Sequence, residues 1–553
     1  MCANSTPAGD LFWQLRTGHD ILITHRVPHH DTFSSTCAGT PWVVHEWLSF
    51  VAMWVAYKAG GFAGVFVLEA ACASLLGLLL YFTILRETSG ASVTSIVLTA
   101  FAVVVAGPYF QPRPQLVTYL GVTAVTWACL GIRRNHKRRL YGLLLLFALW
   151  SNLHAGVLAG IAVLCAFAVC DGIQYLIENR TCDNKSVQGP EGPEGTDSRQ
   201  ATTNEVTFDP KRIQHMLVIS VLAVLLTMAT PYTWHIYQDF WATISNKFAV
   251  DGVMEWQTPN YHAQFGKNVE CFVGLILIAL AASRRRIDIA EVVILVVLIS
   301  ESLTFGRNVP LLAFTGAPII ARHAQSSLQR AFFPGADTEF WQSDSLFGRN
   351  VGTVTVAAIG IALAVTTGIR IVDVMRSQDD APTHGIQRLA RLSFAVPSFP
   401  ETAAAFVRRE RMPGGLKLYN TYDDGGFLIW SLPQYPVFID GRADVYFDKY
   451  LKLSVKMTGL PFDWERILDD HDCSLIICDA NEAQARLFLG SPNWAAIYLD
   501  RPNLGDSPEG VANGIVLVKR SAVSAPDIAR LRHDCKSMSL ILPNVRSDFA
   551  ALQ

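Results

Sequence analysis

The side chains able to do chemistry gather first between Gly9 and Leu48, in GDLFWQLRTGHDILITHRVPHHDTFSSTCAGTPWVVHEWL. This stretch mixes acidic groups, histidines and tryptophans ahead of a chain made mostly of hydrophobic runs. Asp10 heads it. A carboxylate there can take a proton, and it can equally cap the helix that follows. Asp31 is a second acidic group, and its Thr-Phe-Ser context also suits a turn. His45-Glu46 sets an imidazole beside a carboxylate, for contacts to a substrate or a metal, or else as a polar helix start. Isolated polar clusters follow between the apolar runs: Arg113 in QPRPQ, Asn152 and His154 after Trp150, Glu255-Trp256, and Arg307 in GRN. A guanidinium at a membrane surface grips a phosphate bidentately, although a snorkelling arginine looks the same in sequence. Asn152 and His154 read as a pair facing a cavity, or as a helix cap beside a packed histidine.

The elements that must position these groups are mostly membrane helices. With 51% hydrophobic and only 17% charged residues over 553 positions and a mean hydropathy of +0.28, the chain is too apolar for an ordinary soluble protein. Leu11, Phe12, Leu15, Ile21 and Leu22 recur at helical spacing, which predicts a helix lying flat on the bilayer with Phe12 and Trp13 at headgroup level. A second amphipathic helix is expected over 45–58. Spans are expected at 61–82, 92–107, 114–131, 140–151, 154–177, 213–229, 269–283, 288–305, 308–321 and 352–371, several of them shorter than the usual length of about 20 residues. Arg86, the run Arg133 to Arg139, Lys211-Arg212, Arg284 to Arg286 and Arg322-His323 then fall on one side, cytoplasmic by the positive-inside rule. The polar clusters around Arg113, His154, Trp256 and Arg307 fall on the other, together with the tail. Asp10 joins them if the helix at 45–58 lies in the interface.

Residues 178–212 are poor in apolar groups and read as a disordered cytoplasmic loop. Beyond 385, LKLYN, PVFID, SLIICD, AAIYLD and GIVLVK read as strands, with helices at 400–411 and 463–471, making a small α/β domain. Tyr422-Asp423-Asp424-Gly425-Gly426 and Asp440-Gly441-Arg442-Ala443-Asp444 fall after strand-like runs, where tight turns and ligand loops both occur. Arg442 between two aspartates also fits a buried ion pair. Eleven cysteines are scattered, with no CxxC pair and no ligand spacing, against a disulfide framework or a zinc site.

The order of these features, with the motifs DLFWQLRTGHDIL, VPHHDTFSSTCAGTPWVVHEWL, RPQLVTYL, WSNLHAG and YNTYDDGGFLIW…VFIDGRADVYF, resembles bacterial members of the GT-C superfamily of membrane glycosyltransferases along almost the whole chain. The resemblance implies a polytopic α-helical membrane protein: a first extracytoplasmic loop with interfacial helices (1–60), a GT-C-like helix bundle (61–372) and a C-terminal extracytoplasmic α/β domain (373–553). It implies a bacterial inner-membrane enzyme that moves a hexosyl or pentosyl group, with inversion, from a polyprenyl-phosphate carrier to an extracytoplasmic glycan, lipid or protein. Asp10 matches in place the acidic residue that such enzymes use as base, with His45 and Glu46 as further catalytic candidates. Asp31, Arg113, Asn152, His154, Glu255, Trp256 and Arg307 are the substrate-binding candidates. A tryptophan can stack on a sugar face, and a carboxylate can hold hydroxyls. Expected partners are the lipid-linked donor and membrane lipid, not nucleic acid. No cofactor is called for outright; a divalent metal is allowed for, as in the oligosaccharyltransferase branch, without a DxD or clustered ligand pattern to hold it. One departure stands out: GT-C proteins carry a span before the acidic loop, and residues 1–9 contain none, which reads as a start placed too far downstream or a truncated chain. Two other classes compete. A transporter or flippase of lipid-linked saccharide would need charges in mid-span, of which Glu69, Glu291 and Glu301 are the few candidates. A non-catalytic membrane scaffold would make the loop carboxylates dispensable.

Overall fold

The computed structural model describes residues 9–134, 139–186, 208–245, 256–283, 285–332, 399–410, 412–480, 482–499 and 514–533. The expected span at 352–371 and Glu255 lie outside them. The chain is a mostly helical membrane protein with a small sheet near its C-terminal end. Its helices run α1 (Gly9–Thr24), α2 (Trp47–Glu87), α3 (Ser92–Ala106), α4 (Gln115–Arg133), α5 (Arg139–Trp150) and α6 (Val157–Ser186). They continue with α7 (Pro210–Leu226), α8 (His235–Ser245), α9 (Gln264–Ala281), α10 (Ile289–Thr304) and α11 (Val309–Phe332). Among the described residues, five helices are long and apolar enough to cross a membrane.

Glycine divides the longest of them. Gly60 and Gly61 leave helical geometry inside α2, with Gly61 at φ 58°, a conformation open to glycine at no steric cost. The arm 47–59 therefore turns away from the apolar run 62–87, close to the division read from the sequence. The polar loop after α6 begins later than expected, because α6 continues to Ser186. Asp209 caps α7, its side chain accepting from the Lys211 amide at 3.0 Å, with Pro210 in the first turn.

The helix ends sort into two polar layers. At one, Arg133 on α4 donates through Nε to Asp171 of α6 at 3.1 Å and through Nη1 to Asp288 at 3.1 Å. Arg322 on α11 reaches Asp288 at 3.0 Å and Glu291 at 2.7 Å, and His323 lies 3.0 Å from Glu291. Asp288 and Glu291 form the capping box of α10. Glu291 is thus a helix-end residue and not a mid-span charge. Glu301 also lies at a helix end, accepting from Asn308 at 3.0 Å. These buried pairs tie four helices together where an unpaired charge would be costly.

The tail packs α12 (Glu401–Arg409), β1 (Lys417–Tyr419), α13 (Tyr422–Ser431), α14 (Ala443–Thr458), α15 (Trp464–Asp470), β2 (Cys473–Asp479), α16 (Ala483–Leu489), β3 (Trp494–Leu499), β4 (Gly514–Lys519) and α17 (Ala525–His533) around a sheet of order β1-β2-β4-β3. β1 pairs parallel with β2, and the other pairs are antiparallel. PVFID does not join the sheet. Its Val437 exchanges backbone hydrogen bonds with Phe33 and Ser35 of the N-terminal loop, at 2.9 and 2.8 Å. YDDGG is helical where turn chemistry was expected. Its glycines let α13 close on α1, for a Cβ on Gly426 would fall 2.2 Å from the Gly9 carbonyl oxygen.

Helix α1 does not lie flat on a bilayer. Leu11, Phe12, Leu15 and even Gln14 and Thr17 are buried, because α1 is enclosed between the arm of α2 and α13. Phe12 packs edge-on against Phe62, Phe399 and Phe427. Burying a phenyl ring contributes about 1.5–3 kcal/mol, which exceeds what the interface would return for a half-covered ring. The first loop and the tail thus share one core, separate from that of the bundle.

Arg442 is the polar centre of that shared core. It donates to Asp440 at 2.8 and 2.7 Å and to Asp31 at 2.7 Å, with Tyr446 donating to Asp440 at 2.6 Å. Its guanidinium lies 4.5 Å from the Trp42 ring centroid. Asp31, also bonded to the Phe33 amide and the Ser34 hydroxyl, is 2% exposed. It is an ion-pair and turn residue, not a substrate contact. Replacing Arg442 by Met would strand two buried carboxylates, so a stability loss of about 3–5 kcal/mol is expected. A thermal or denaturant melt in detergent measures it, and a loss under about 1 kcal/mol, the size of a surface pair, would contradict the assignment.

Candidate active site

The site lies at the other polar layer. Asp10 opens α1, and Arg113 sits in the turn before α4; they meet with Arg113 Nη2 3.1 Å from Asp10 Oδ2. Trp13, one turn along α1, donates from Nε1 to Asp10 Oδ1 at 3.1 Å. The tail closes the third side: a Cβ on Gly441 would fall 2.1 Å from Asp10 Oδ1, so only glycine leaves the carboxylate its place. Tyr422 donates to the Gly441 carbonyl at 3.1 Å, and burial followed by the charge of Asp10 drives its hydroxyl pKa upward. Asp10 and Arg113 keep side-chain exposures of 25% and 18%, so an incoming molecule can reach both.

A second cluster stands on the loop between α5 and α6. Trp150 Nε1 donates to the Thr118 hydroxyl at 3.2 Å, Thr118 lies 2.7 Å from His154 Nδ1, and the Gly156 amide donates to that same nitrogen at 2.9 Å. With Nδ1 accepting, the ring proton sits on Nε2, 3.1 Å from Glu46 Oε1. Burial lowers the His154 pKa to about 4, which keeps the imidazole neutral at pH 7. Burial opposes the ionisation of Glu46, but His154, His45 and Arg307 outweigh it and hold its pKa below the usual carboxylate range.

His45 links this cluster to the tail. It lies 3.5 Å from Glu46 and 3.6 Å from Asp239 of α8. Burial disfavours its charge, yet the hydrogen bonds and charges of Asp239 and Glu46 raise its pKa well above the ordinary value. Asp444, in the first turn of α14, is raised to about 7 by burial and by Asp239, against the pull of His45 and Arg442.

The sign of that shift fixes a pH dependence. An unfolded Asp444 loses its proton near 3.8, the folded one near 7, so the folded state binds the extra proton between them. Stability should fall by up to about 1.4 kcal/mol per pH unit across that window as pH rises. Melting temperatures at pH 5 and pH 8 should differ less in Asp444→Asn than in the wild type; equal slopes would refute the assignment.

Of the residues predicted from sequence, Asp10 and Arg113 meet, and so do His45, Glu46 and His154. Arg307 lies with its guanidinium 4.4 Å from the Trp256 ring centroid and within the field of Glu46. That contact covers one face of the indole. Asn152 accepts from Trp47 Nε1 at 2.9 Å and donates to the carbonyls of Ala148 and Ala229, each at 3.0 Å, so it positions the loop and does not present its amide to a ligand. Thr118 and Asp239 belong to the site and were not singled out; Asp239 is one acid inside an aromatic helix and gave no signal. Gly441 and Asp444 also belong to it, in the DGRAD run that the sequence left open between a ligand loop, a tight turn and a buried ion pair. Among the described residues, no three His, Cys, Asp or Glu side chains gather to hold a metal ion.

No protein-family model and no curated protein matches the chain. Among solved structures, it is similar to the oligosaccharyltransferase of Archaeoglobus fulgidus tethered to an acceptor peptide containing the NVT sequon. That match has a TM-score of 0.50 at 11% identity, covering 86% of this chain and 65% of that one. It is also similar to ArnT from Cupriavidus metallidurans bound to undecaprenyl phosphate, with a TM-score of 0.46 at 10% identity, over 95% of each chain. The chain thus spans about two thirds of the length of the oligosaccharyltransferase. At 11% identity the likeness to the oligosaccharyltransferase is one of fold alone: the chain is a GT-C-like membrane helix bundle.

Proposed function

We propose that this protein transfers a glycosyl group from a polyprenyl phosphate to an extracytoplasmic hydroxyl, with inversion, in a bacterial inner membrane. The observation that carries the reading is the Asp10–Arg113 pair at 3.1 Å, partly open and backed by Trp13 and Gly441, in a chain with the GT-C fold. Asp10 takes the proton of the acceptor hydroxyl as its oxygen attacks the anomeric carbon, and the bond from that carbon to the phosphate oxygen breaks. The polyprenyl phosphate leaves as an anion. Arg113 holds Asp10 with one N–H, and its planar guanidinium has the fork geometry that grips a phosphate. Arg307, already beside Trp256, adds positive charge where the leaving group develops its own. Glu46 and His154 fix the loop beneath.

Taken with the arginine layer at the far end of the bundle and the positive-inside rule, this reading places the site and the tail outside the cytoplasm. It keeps the division into a first loop (1–60), a bundle (61–372) and a tail (373–553), with loop and tail acting as one cover over the site. The test uses purified protein in liposomes with polyprenyl-phosphate hexose or pentose donors and a panel of glycan, lipid and peptide hydroxyl acceptors, and measures free polyprenyl phosphate. Release by the wild type supports the reading. Movement of intact lipid-linked sugar between leaflets without release would replace it with a flippase.

A further inference from the structure

At the arginine-rich end of the bundle, α2, α4 and α5 enclose a pocket of about 100 Å³ lined by Thr83, Arg86, Glu87, Trp127, Leu130, Gly131, Arg134 and Arg139. Three guanidiniums face one carboxylate. Arg134 is paired with Glu87 at 2.7 Å and also donates to the Arg86 carbonyl at 3.1 Å. Arg139 donates to the Trp127 carbonyl at 2.8 Å, and its guanidinium lies 3.7 Å from the Trp127 ring centroid. The Arg86 and Trp127 carbonyls are thereby occupied. Arg86 is exposed, 6.0 Å from the same indole, and among the described residues its side chain forms no ion pair. The pocket is left with a surplus of positive charge.

Exposed apolar side chains lead away from it on α2 and α5. Leu75, Leu78 and Phe82 on α2 are exposed, and so are Tyr141, Leu145 and Leu149 on α5. Their spacings of three and four residues make a stripe on each helix. On α2 the stripe runs straight into Arg86, four residues after Phe82. Two exposed hydrocarbon-compatible ridges that lead to a cationic pocket match an amphiphile with a phosphate head and acyl tails.

We propose that this pocket binds the phosphate of an anionic membrane lipid, its acyl chains lying along the α2 and α5 stripes. The proposal is independent of the glycosyl-transfer reading, since the pocket sits at the opposite polar layer from Asp10. A free phosphate shares the headgroup chemistry but gains nothing from the stripes.

Native mass spectrometry of the full chain, titrated in detergent with phosphatidylglycerol, phosphatidylcholine or inorganic phosphate, tests it. Phosphatidylglycerol should be retained in preference to both. Arg86→Gln should weaken that retention about tenfold, the effect of one lost charge-assisted contact. Arg86 offers only its backbone carbonyl to the local hydrogen bonds, so this variant is expected to fold, and an unchanged melting temperature in lipid-free detergent checks that. Arg139→Gln, which also loses the Trp127 contacts, should weaken retention at least as much. Equal retention of the two lipids, equal retention by wild type and Arg86→Gln, or inorganic phosphate bound as well as phosphatidylglycerol would each overturn the proposal.

Discussion

Replacing Asp10 by Asn is expected to reduce glycosyl release by about 10²- to 10⁴-fold, the range that a positioned general base contributes. The amide keeps the size of the carboxylate and can still accept from Trp13 Nε1, which donates to Asp10 Oδ1 at 3.1 Å in the wild type. It cannot take the acceptor proton. Donor affinity should therefore change little while the turnover rate collapses, the pattern of an interaction made only in the transition state. The variant should also fold, because the carboxylate is 25% exposed and its partner Arg113 18% exposed. A full-rate Asp10→Asn would move the base elsewhere, and Glu46, ionised and hydrogen-bonded to a neutral His154, would be the next carboxylate to test.

Replacing Arg113 by Gln should cost about 10- to 150-fold in kcat/KM, the equivalent of one or two hydrogen bonds to a charged group. Here the loss should fall largely on donor binding, because the guanidinium meets the phosphate in the ground state as well as at the transition state. Arg113→Lys keeps the charge but not the planar fork, so it should recover only part of the loss. Competition by polyprenyl phosphate without sugar separates the two terms. A variant that binds this product as tightly as the wild type would remove Arg113 from the phosphate site.

Much of this arrangement was legible in the sequence for a simple physical reason. Apolar runs long enough to cross a bilayer announce themselves, and counting them alternates the polar clusters between two ends. That count placed Arg113, His154 and Arg307 at one end and Arg133 and Arg322 at the other, where they are found. What it could not supply was the partner of each short segment. The alternation in α1 was read as a bilayer-facing stripe, but Gln14 and Thr17 are buried too, because protein covers both faces. PVFID has the composition of a strand, and its Val437 does pair, though with Phe33 and Ser35 some four hundred residues earlier. The acids told the same story. Asp31 and Asp10 look alike in sequence, and only the tail decides between them: Arg442 takes Asp31 into the core, while Gly441 stops short of Asp10 and leaves it reachable.

The central claim is that Asp10 and Arg113 act as one unit on a lipid-phosphate sugar, and a double-mutant cycle on donor turnover in liposomes tests it most directly. Wild type, Asp10→Asn, Arg113→Gln and the double variant would be assayed with the same polyprenyl-phosphate donor. The account predicts measurable release by the wild type and, in kcat/KM, a double variant less impaired than the product of the two single losses, because the part of Arg113's contribution that positions the base is worth nothing once the base is gone while its grip on the phosphate persists. Losses that multiply, or release by no member of the set, would contradict it.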